Sequence, residues 1–127
     1  MGDPAGVGPE VLVKSFNKAR KAQNLVAISD FPKIKNIAER YHVPVQRINY
    51  IDEAENFKDH LNVLHLEYGS DFTAGKFDQK NSFSVIESIR IATELCLKKE
   101  VGAMVTGPIN KSILKSGEAF KFSGHTD

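Results

Sequence analysis

Short apolar runs alternate with longer amphipathic segments along this chain, and this alternation is the feature that most constrains its fold. The short segments 25–29, 45–48, 62–66 and 102–106 contain apolar residues and are the strand candidates. Around them, apolar residues recur at helical intervals, as in the segment that follows Gly8. Strands that alternate with helices are typical of a parallel sheet with right-handed crossovers. The pattern therefore predicts an α/β fold and leaves the strand order open.

Helices are predicted in the amphipathic segments. Pro9 suits the first turn of a helix, because the N–H that proline lacks would have no intrahelical partner there. Ser84 and Glu87 have the spacing of a capping box, so we predict that the clearest helix begins at Ser84 and ends near Lys99. The predicted helices cover residues 9–19, 32–41, 84–99 and 109–116, and a polar loop covers 69–81.

The composition excludes several classes of protein. The 127 residues include 17 basic and 16 acidic side chains, for a net charge of +1. Binding to a polyanion usually needs a basic excess on one face, so this balance argues against a nucleic-acid partner. No apolar run approaches the roughly 18 residues of a membrane helix, and no secretory signal opens the chain. We expect a cytoplasmic protein that does not bind membranes.

The cysteine and most of the histidines are expected to be structural. Cys96 is the single cysteine and lies in an apolar helical stretch, so we interpret it as a small core residue. His60 and His65 are five residues apart, which is not the spacing of two ligands on one helix face. His42 stands at an expected helix end, where a cation is mildly favoured. We expect no metal site from these three histidines.

The glycine-rich segment 2–10 is the first candidate ligand loop. Its glycines allow close approach of a ligand to the backbone, and the helix that follows could face an anion with its free N–H groups. The segment lacks the Lys-Ser/Thr ending of a Walker loop and the spacing of a dinucleotide-binding loop. A tight turn in which Asp3 accepts local backbone hydrogen bonds explains the same residues equally well.

Two further polar clusters are candidates. The segment 106–111 places a hydroxyl, an amide and an ammonium where a strand leads into a helix; Lys111 could bind a phosphate or carboxylate, and Asn110 could orient a hydroxyl. The segment 123–127 contains His125, which could donate a hydrogen bond to phosphate. A solvated helix lysine and an ordinary polar turn are the alternatives.

Three segments together resemble the 4-hydroxythreonine-4-phosphate dehydrogenase (PdxA) family. They occur in the same order as in that family and are Gly2-Asp3-Pro4-Ala5-Gly6-Val7-Gly8-Pro9-Glu10, Val105-Thr106-Gly107-Pro108-Ile109-Asn110-Lys111 and Ser123-Gly124-His125-Thr126-Asp127. The resemblance covers nearly the whole chain but only the N-terminal portion of a family member. The chain also begins and ends in loop-like sequence, without a family strand before Gly2. We therefore expect residues 1–127 to be the N-terminal portion of a longer dehydrogenase.

The resemblance implies an isocitrate/isopropylmalate dehydrogenase-like, three-layer α/β fold with a parallel sheet, incomplete in this chain, and a homodimer. It implies oxidation and decarboxylation of 4-hydroxy-L-threonine 4-phosphate in pyridoxal phosphate (vitamin B6) biosynthesis. NAD or NADP would accept the hydride, and a divalent cation such as Zn, Mg or Co would polarise the reacting oxygen.

Site residues follow from the resemblance position by position. His125 and Thr126 match the substrate-binding pair of the family, and Asp3, Asn110 and Lys111 lie in motifs near its active site. The metal-binding histidines of the family come beyond Asp127, so we expect no metal site within this chain. For the same reason, residues 1–127 alone are expected to be inactive.

Two alternative functions fit these residues. A dehydrogenase of sugar-acid catabolism acting on 4-phospho-D-threonate or 4-phospho-D-erythronate would meet the same phosphate and adjacent hydroxyls. A non-catalytic module that binds a phosphorylated ligand would use the same three segments without chemistry.

Overall fold

The computed structural model describes residues 1–19 and 24–112 of the chain. This described part contains three α-helices and three β-strands. In chain order they are α1 (Gly8–Ala19), β1 (Val26–Ser29), α2 (Phe31–Arg40), β2 (Val45–Ile48), β3 (Leu61–His65) and α3 (Ser82–Leu97). Two short 3-10 turns, Ile51–Asn56 and Gln79–Asn81, stand before β3 and α3. None of the described helices is long and apolar enough to cross a membrane.

The described strands form one parallel sheet in the order β1-β3-β2. The central strand is β3, whose residue Asn62 lies opposite Val26 of β1 and whose residue Leu61 lies opposite Val45 of β2. The three predicted strands at 25–29, 45–48 and 62–66 are confirmed to within one residue at each end. The α/β class and the parallel sheet are therefore confirmed, and the structure adds the strand order.

The main core lies between one face of the sheet and the helices α1 and α2. Alternate strand residues point to the same face of a sheet, which is why Leu61 and Val63 of β3 both reach this core. Each fully buried Val, Ile or Leu side chain contributes about 1.5–3 kcal/mol relative to an exposed one. The buried members of this core are Val13, Phe16, Ala27, Ile34, Ile37, Ala38, Val43, Leu61 and Val63.

An acidic residue begins α2 and also holds the chain that follows β3. The Asp30 carboxylate accepts hydrogen bonds from the backbone N–H groups of Lys33 at 3.4 Å and Tyr68 at 3.0 Å. The Lys33 ammonium lies 3.3 Å from the same carboxylate and donates to the carbonyls of Tyr68 and Ser70, each at 2.9 Å. These bonds fasten residues 68–70 to the carboxyl end of β1.

The predicted capping box at Ser84 and Glu87 is wrong. The helix α3 begins two residues earlier, at Ser82, and Asn81 is its N-cap. Ser84 is therefore inside the helix, and its hydroxyl donates to the Glu67 carbonyl at 2.8 Å. Glu87 pairs with Arg90 on the helix surface instead. The spacing was present, but the tertiary contact of Ser84 decided its role.

The predicted strand 102–106 is also wrong. This segment has no strand pairing, and the Val105 side chain is 87% exposed. A cleft of about 1680 Å³ separates it from β1, with Leu12 of α1 and Ile89 of α3 among the side chains that line it. An apolar run becomes a strand only when a neighbouring strand accepts its backbone hydrogen bonds. No strand of the described sheet pairs with residues 102–106.

Two smaller expectations need correction. Cys96 is half-buried and is not a core residue, because it lies near the end of α3, where the next residue, Leu97, is 78% exposed. The predicted helix 109–116 starts later in the structure, at Lys111. Residues 113–116 lie outside the described part.

We predict that Asp30→Ala lowers the free energy of unfolding by about 2–4 kcal/mol, because it leaves the Tyr68 N–H without its acceptor and the Lys33 ammonium without its counter-charge. Urea unfolding followed by circular dichroism measures the change. The matched control is Glu10→Ala, which breaks an exposed pair with Lys14 at 3.9 Å and should cost less than about 0.5 kcal/mol. Equal losses from the two variants would contradict a buried anchor.

We also predict that the open cleft makes the 127-residue chain self-associate, since unpaired backbone and exposed apolar side chains favour edge-to-edge contacts. Val105→Lys places a charge on the cleft wall and should reduce concentration-dependent association in sedimentation velocity. Leu97→Lys adds the same charge outside the residues that line the cleft and should have little effect. A monomeric parent chain at every concentration would refute this expectation.

Candidate functional site

The two predicted ligand loops in the described part of the chain meet. The Asp3 N–H donates to the Pro108 carbonyl at 2.8 Å. Gly2 has a φ of +83°, and a Cβ at this position would lie 2.5 Å from the Pro108 carbonyl oxygen. A Cβ at Gly8 or at Gly107 would likewise overlap the Met1 carbonyl oxygen. Glycine is needed at this contact because any side chain would push the two segments apart.

A pocket of about 340 Å³ opens where the segments meet. This volume is at the lower end of the range for small-molecule sites. Its surface is mostly apolar, and three polar side chains also line it. The lining residues are Asp3, Gly6, Phe77, Pro108, Ile109, Asn110 and Lys111. The structure thus brings together all three of the predicted site residues that it describes, namely Asp3, Asn110 and Lys111.

Asp3 serves its own loop and also faces the pocket. One carboxylate oxygen accepts a hydrogen bond from the Ala5 N–H at 2.9 Å, and the Asp3 carbonyl accepts one from Gly6 at 3.1 Å. The residue is only 8% exposed. The interpretation of Asp3 as a local backbone acceptor is therefore confirmed, and its place in the pocket lining leaves it available as a ligand contact.

The suggested anion site at the N-terminus of α1 does not form in this pocket. Gly8 and Pro9 begin α1 and are both buried, and neither lines the pocket. Gly8 faces the larger cleft beside β1 instead. The positive charge at this pocket comes from Lys111, an exposed residue at the start of the next helical turn.

The loop 69–81 contributes to the pocket in a way that the sequence analysis missed. The Gly75 N–H donates to the Ala5 carbonyl at 2.8 Å, and Gly75 adopts a φ of +77°. This bond fastens the loop to the glycine-rich segment and places Phe77 in the pocket wall. An isolated glycine two residues before an aromatic residue in a polar loop was the available signal, and it is weak without the contact.

Tyr68 is buried below this loop and has a structural role. The residue is 3% exposed, and its ring packs edge-on against Phe72 with 5.1 Å between the centroids. Burial raises the pKa of Tyr68 to about 12, the carboxylates of Asp3 and Asp30 contribute in the same direction, and the Ser88 hydroxyl opposes them. Tyr68 therefore stays protonated near neutral pH and does not act as a base.

The remaining predicted site residues are not in the described part of the chain, and the histidine at the end of β3 has a structural contact. His125 and Thr126 lie outside the described residues. His65 is at the end of β3, and its Nδ1 accepts a hydrogen bond from the Phe31 N–H at 3.1 Å. In residues 1–19 and 24–112, no three His, Cys, Asp or Glu side chains converge to form a metal site.

Comparison with known proteins identifies the family. The model of the family described as "Pyridoxal phosphate biosynthetic protein PdxA" matches residues 20–127. This match covers most of the chain, so the chain belongs to the PdxA family. The dehydrogenase family suggested by the three sequence motifs is thereby confirmed.

Individual relatives agree over almost the whole chain. A protein of Saccharophagus degradans named 4-hydroxythreonine-4-phosphate dehydrogenase is 36% identical over 99% of this chain, and one of Ruegeria with the same name is 33% identical over 99%. The chain spans only 38% and 37% of their lengths. The crystal structure of a 4-hydroxythreonine-4-phosphate dehydrogenase from Burkholderia phymatum superposes with a TM-score of 0.87, at 28% identity, over 99% of this chain and 39% of that one.

We predict that Gly107→Ala destabilises the fold by about 1–3 kcal/mol, because the new methyl group would overlap the Met1 carbonyl and separate the two pocket loops. Chemical unfolding measures the loss. Gly102→Ala is the matched control, since a Cβ there meets nothing within 4 Å and should be neutral or slightly stabilising. If both substitutions were neutral, the two loops would not be in contact.

Proposed function

We propose that the full-length protein containing this chain oxidises the secondary alcohol of 4-hydroxy-L-threonine 4-phosphate, with decarboxylation of the product, in pyridoxal phosphate biosynthesis. The observation that carries the proposal is the pocket shared by Asp3, Asn110 and Lys111 in a chain of the PdxA family. The substrate is the one that the names of the relatives contain. The pocket contains side chains suited to bind the charged and hydroxyl groups of that substrate.

The pocket side chains complement a small ligand with charges of both signs. The Lys111 ammonium would bind a phosphate or carboxylate as a point charge. The Asp3 carboxylate accepts hydrogen bonds only, so it would bind the substrate ammonium or a hydroxyl group. Asn110 has both a donor and an acceptor and would orient a hydroxyl. Hydroxythreonine phosphate contains all of these groups.

Further parts of the proposed site lie beyond the described residues. We propose that His125 and Thr126 donate hydrogen bonds to the substrate, as their match to the family pair implies. NAD or NADP would accept the hydride. A divalent cation (Zn, Mg or Co) is also implied by the family, but the described residues provide no ligand set for one, and we assign no step to it. A cytoplasmic homodimer is part of the same proposal.

The test is NADH formation by the full-length gene product with NAD, a divalent cation and 4-hydroxy-L-threonine 4-phosphate. We expect turnover of this substrate, and no turnover by residues 1–127 alone. Turnover of 4-phospho-D-threonate in its place would select the sugar-acid enzyme. No turnover of either substrate would favour a non-catalytic module that binds a phosphorylated ligand.

We predict that Lys111→Ala in the full-length protein raises KM for the phosphorylated substrate about 10- to 100-fold, because a hydrogen bond to a charged group contributes about 1.5–3 kcal/mol. Steady-state kinetics measures the change. Lys98→Ala removes an equivalent exposed charge at the end of α3, away from the pocket lining, and should leave KM within about twofold of the parent value. An unchanged KM in Lys111→Ala would remove Lys111 from the site.

A further inference from the structure

Phe77 is an aromatic residue that the fold leaves partly exposed to solvent. It is 44% exposed, and it belongs to neither of the two apolar clusters of the described chain. The nearby Phe72 differs, because it packs against Tyr68 and lies beneath the Lys33 ammonium. A phenylalanine that stays nearly half exposed loses much of the free energy that burial would provide, so Phe77 contributes little to the stability of the fold in this position.

The backbone on both sides of Phe77 is nevertheless held in place. Two residues before it, the Gly75 N–H donates to the Ala5 carbonyl at 2.8 Å. One residue after it, the Asp78 carboxylate accepts a hydrogen bond from the Lys80 N–H at 2.9 Å. That bond lowers the pKa of Asp78 and keeps the carboxylate charged. The Gly75 bond ties the backbone before Phe77 to the glycine-rich segment, and the Asp78 bond shapes the turn that follows Phe77.

The pocket gives the ring a specific neighbour. Phe77 is the aromatic residue of the described lining, and it shares the apolar part of the pocket with Pro108 and Ile109. The polar side chains of the lining are those of Asp3, Asn110 and Lys111. Those three groups can satisfy the charged and hydroxyl groups of a ligand, but they offer little apolar surface to the carbon atoms that connect them. A bound carbon chain would cover the exposed part of the Phe77 ring and remove both surfaces from water.

We propose that Phe77 forms the aromatic part of the apolar wall of the substrate site, beside Pro108 and Ile109, and packs against the carbon skeleton of a short phosphorylated hydroxy acid. This inference rests on the proposed function and adds a specificity-determining residue to it. The ring distinguishes an organic phosphate from inorganic phosphate, which carries no carbon for it to contact. Asp3 and Lys111 bind the polar ends of the ligand, and Phe77 binds the part between them.

The test uses the full-length gene product and two ligands. We expect Phe77→Ala to raise KM for 4-hydroxy-L-threonine 4-phosphate about tenfold, with kcat within about twofold, since the contact is the same in the bound substrate and the transition state. The inhibition constant of inorganic phosphate, measured as a competitive inhibitor, should stay within about twofold. Phe77→Leu keeps an apolar side chain and should restore most of the affinity.

Phe83→Ala is the matched control. Phe83 is 69% exposed at the start of α3 and does not line the pocket, so its loss should leave both constants unchanged. If Phe77→Ala fails to fold, as judged by circular dichroism, Phe77→Leu and the polar Phe77→Asn decide: the inference requires a near-normal KM for Leu and a raised KM for Asn.

The outcomes separate the two proposals. A wild-type protein that does not turn over the substrate overturns the proposed function and this inference with it. Wild-type turnover with an unchanged KM in Phe77→Ala overturns the inference alone. Equal rises in KM and in the phosphate inhibition constant also overturn it, because Phe77 would then shape the pocket as a whole.

Discussion

The contact between the first residues of the chain and the turn at 107–108 is the constraint on which the candidate site depends. It places Asp3 in the same pocket as Asn110 and Lys111, and it is possible only because glycine occupies both sides of the contact. Backbone packed against backbone leaves no room for adjustment by side-chain rotation. The position of the pocket is therefore set by main-chain geometry, whereas its chemistry is set by the few side chains that point into it.

A second anchor positions the remaining wall. The Asp30 carboxylate and the Lys33 ammonium bind the backbone of residues 68–70, and the loop that follows reaches the glycine-rich segment through Gly75. Both charges are largely removed from water, and each is satisfied by more than one partner, which is the condition under which buried charges are tolerated. The loop carrying Phe77 is thus held at two points, one in the core and one at the pocket.

The segment 102–106 shows where local pattern and tertiary structure disagree. Its apolar run is typical of a strand, yet β1 pairs only with β3 in the described sheet, and a cleft lies between β1 and this segment. Helices α1 and α3 both reach the cleft, so apolar surface from three directions meets there without a packed interior. The chain spans 38% of the length of a curated relative.

The sequence by itself determined the elements whose signal is local: the strands β1 to β3 and the helices α1 and α2, each to within one residue at either end, and the three motifs that place the chain in its family. These follow from side-chain periodicity and from the backbone freedom of glycine, which neighbouring residues express directly. The tertiary structure alone decided the strand order, the pocket that Asp3 and Lys111 share, the role of Ser84 and the position of Phe77. Each of these depends on a contact between residues distant in sequence, and the energy of such a contact cannot be inferred from either segment alone.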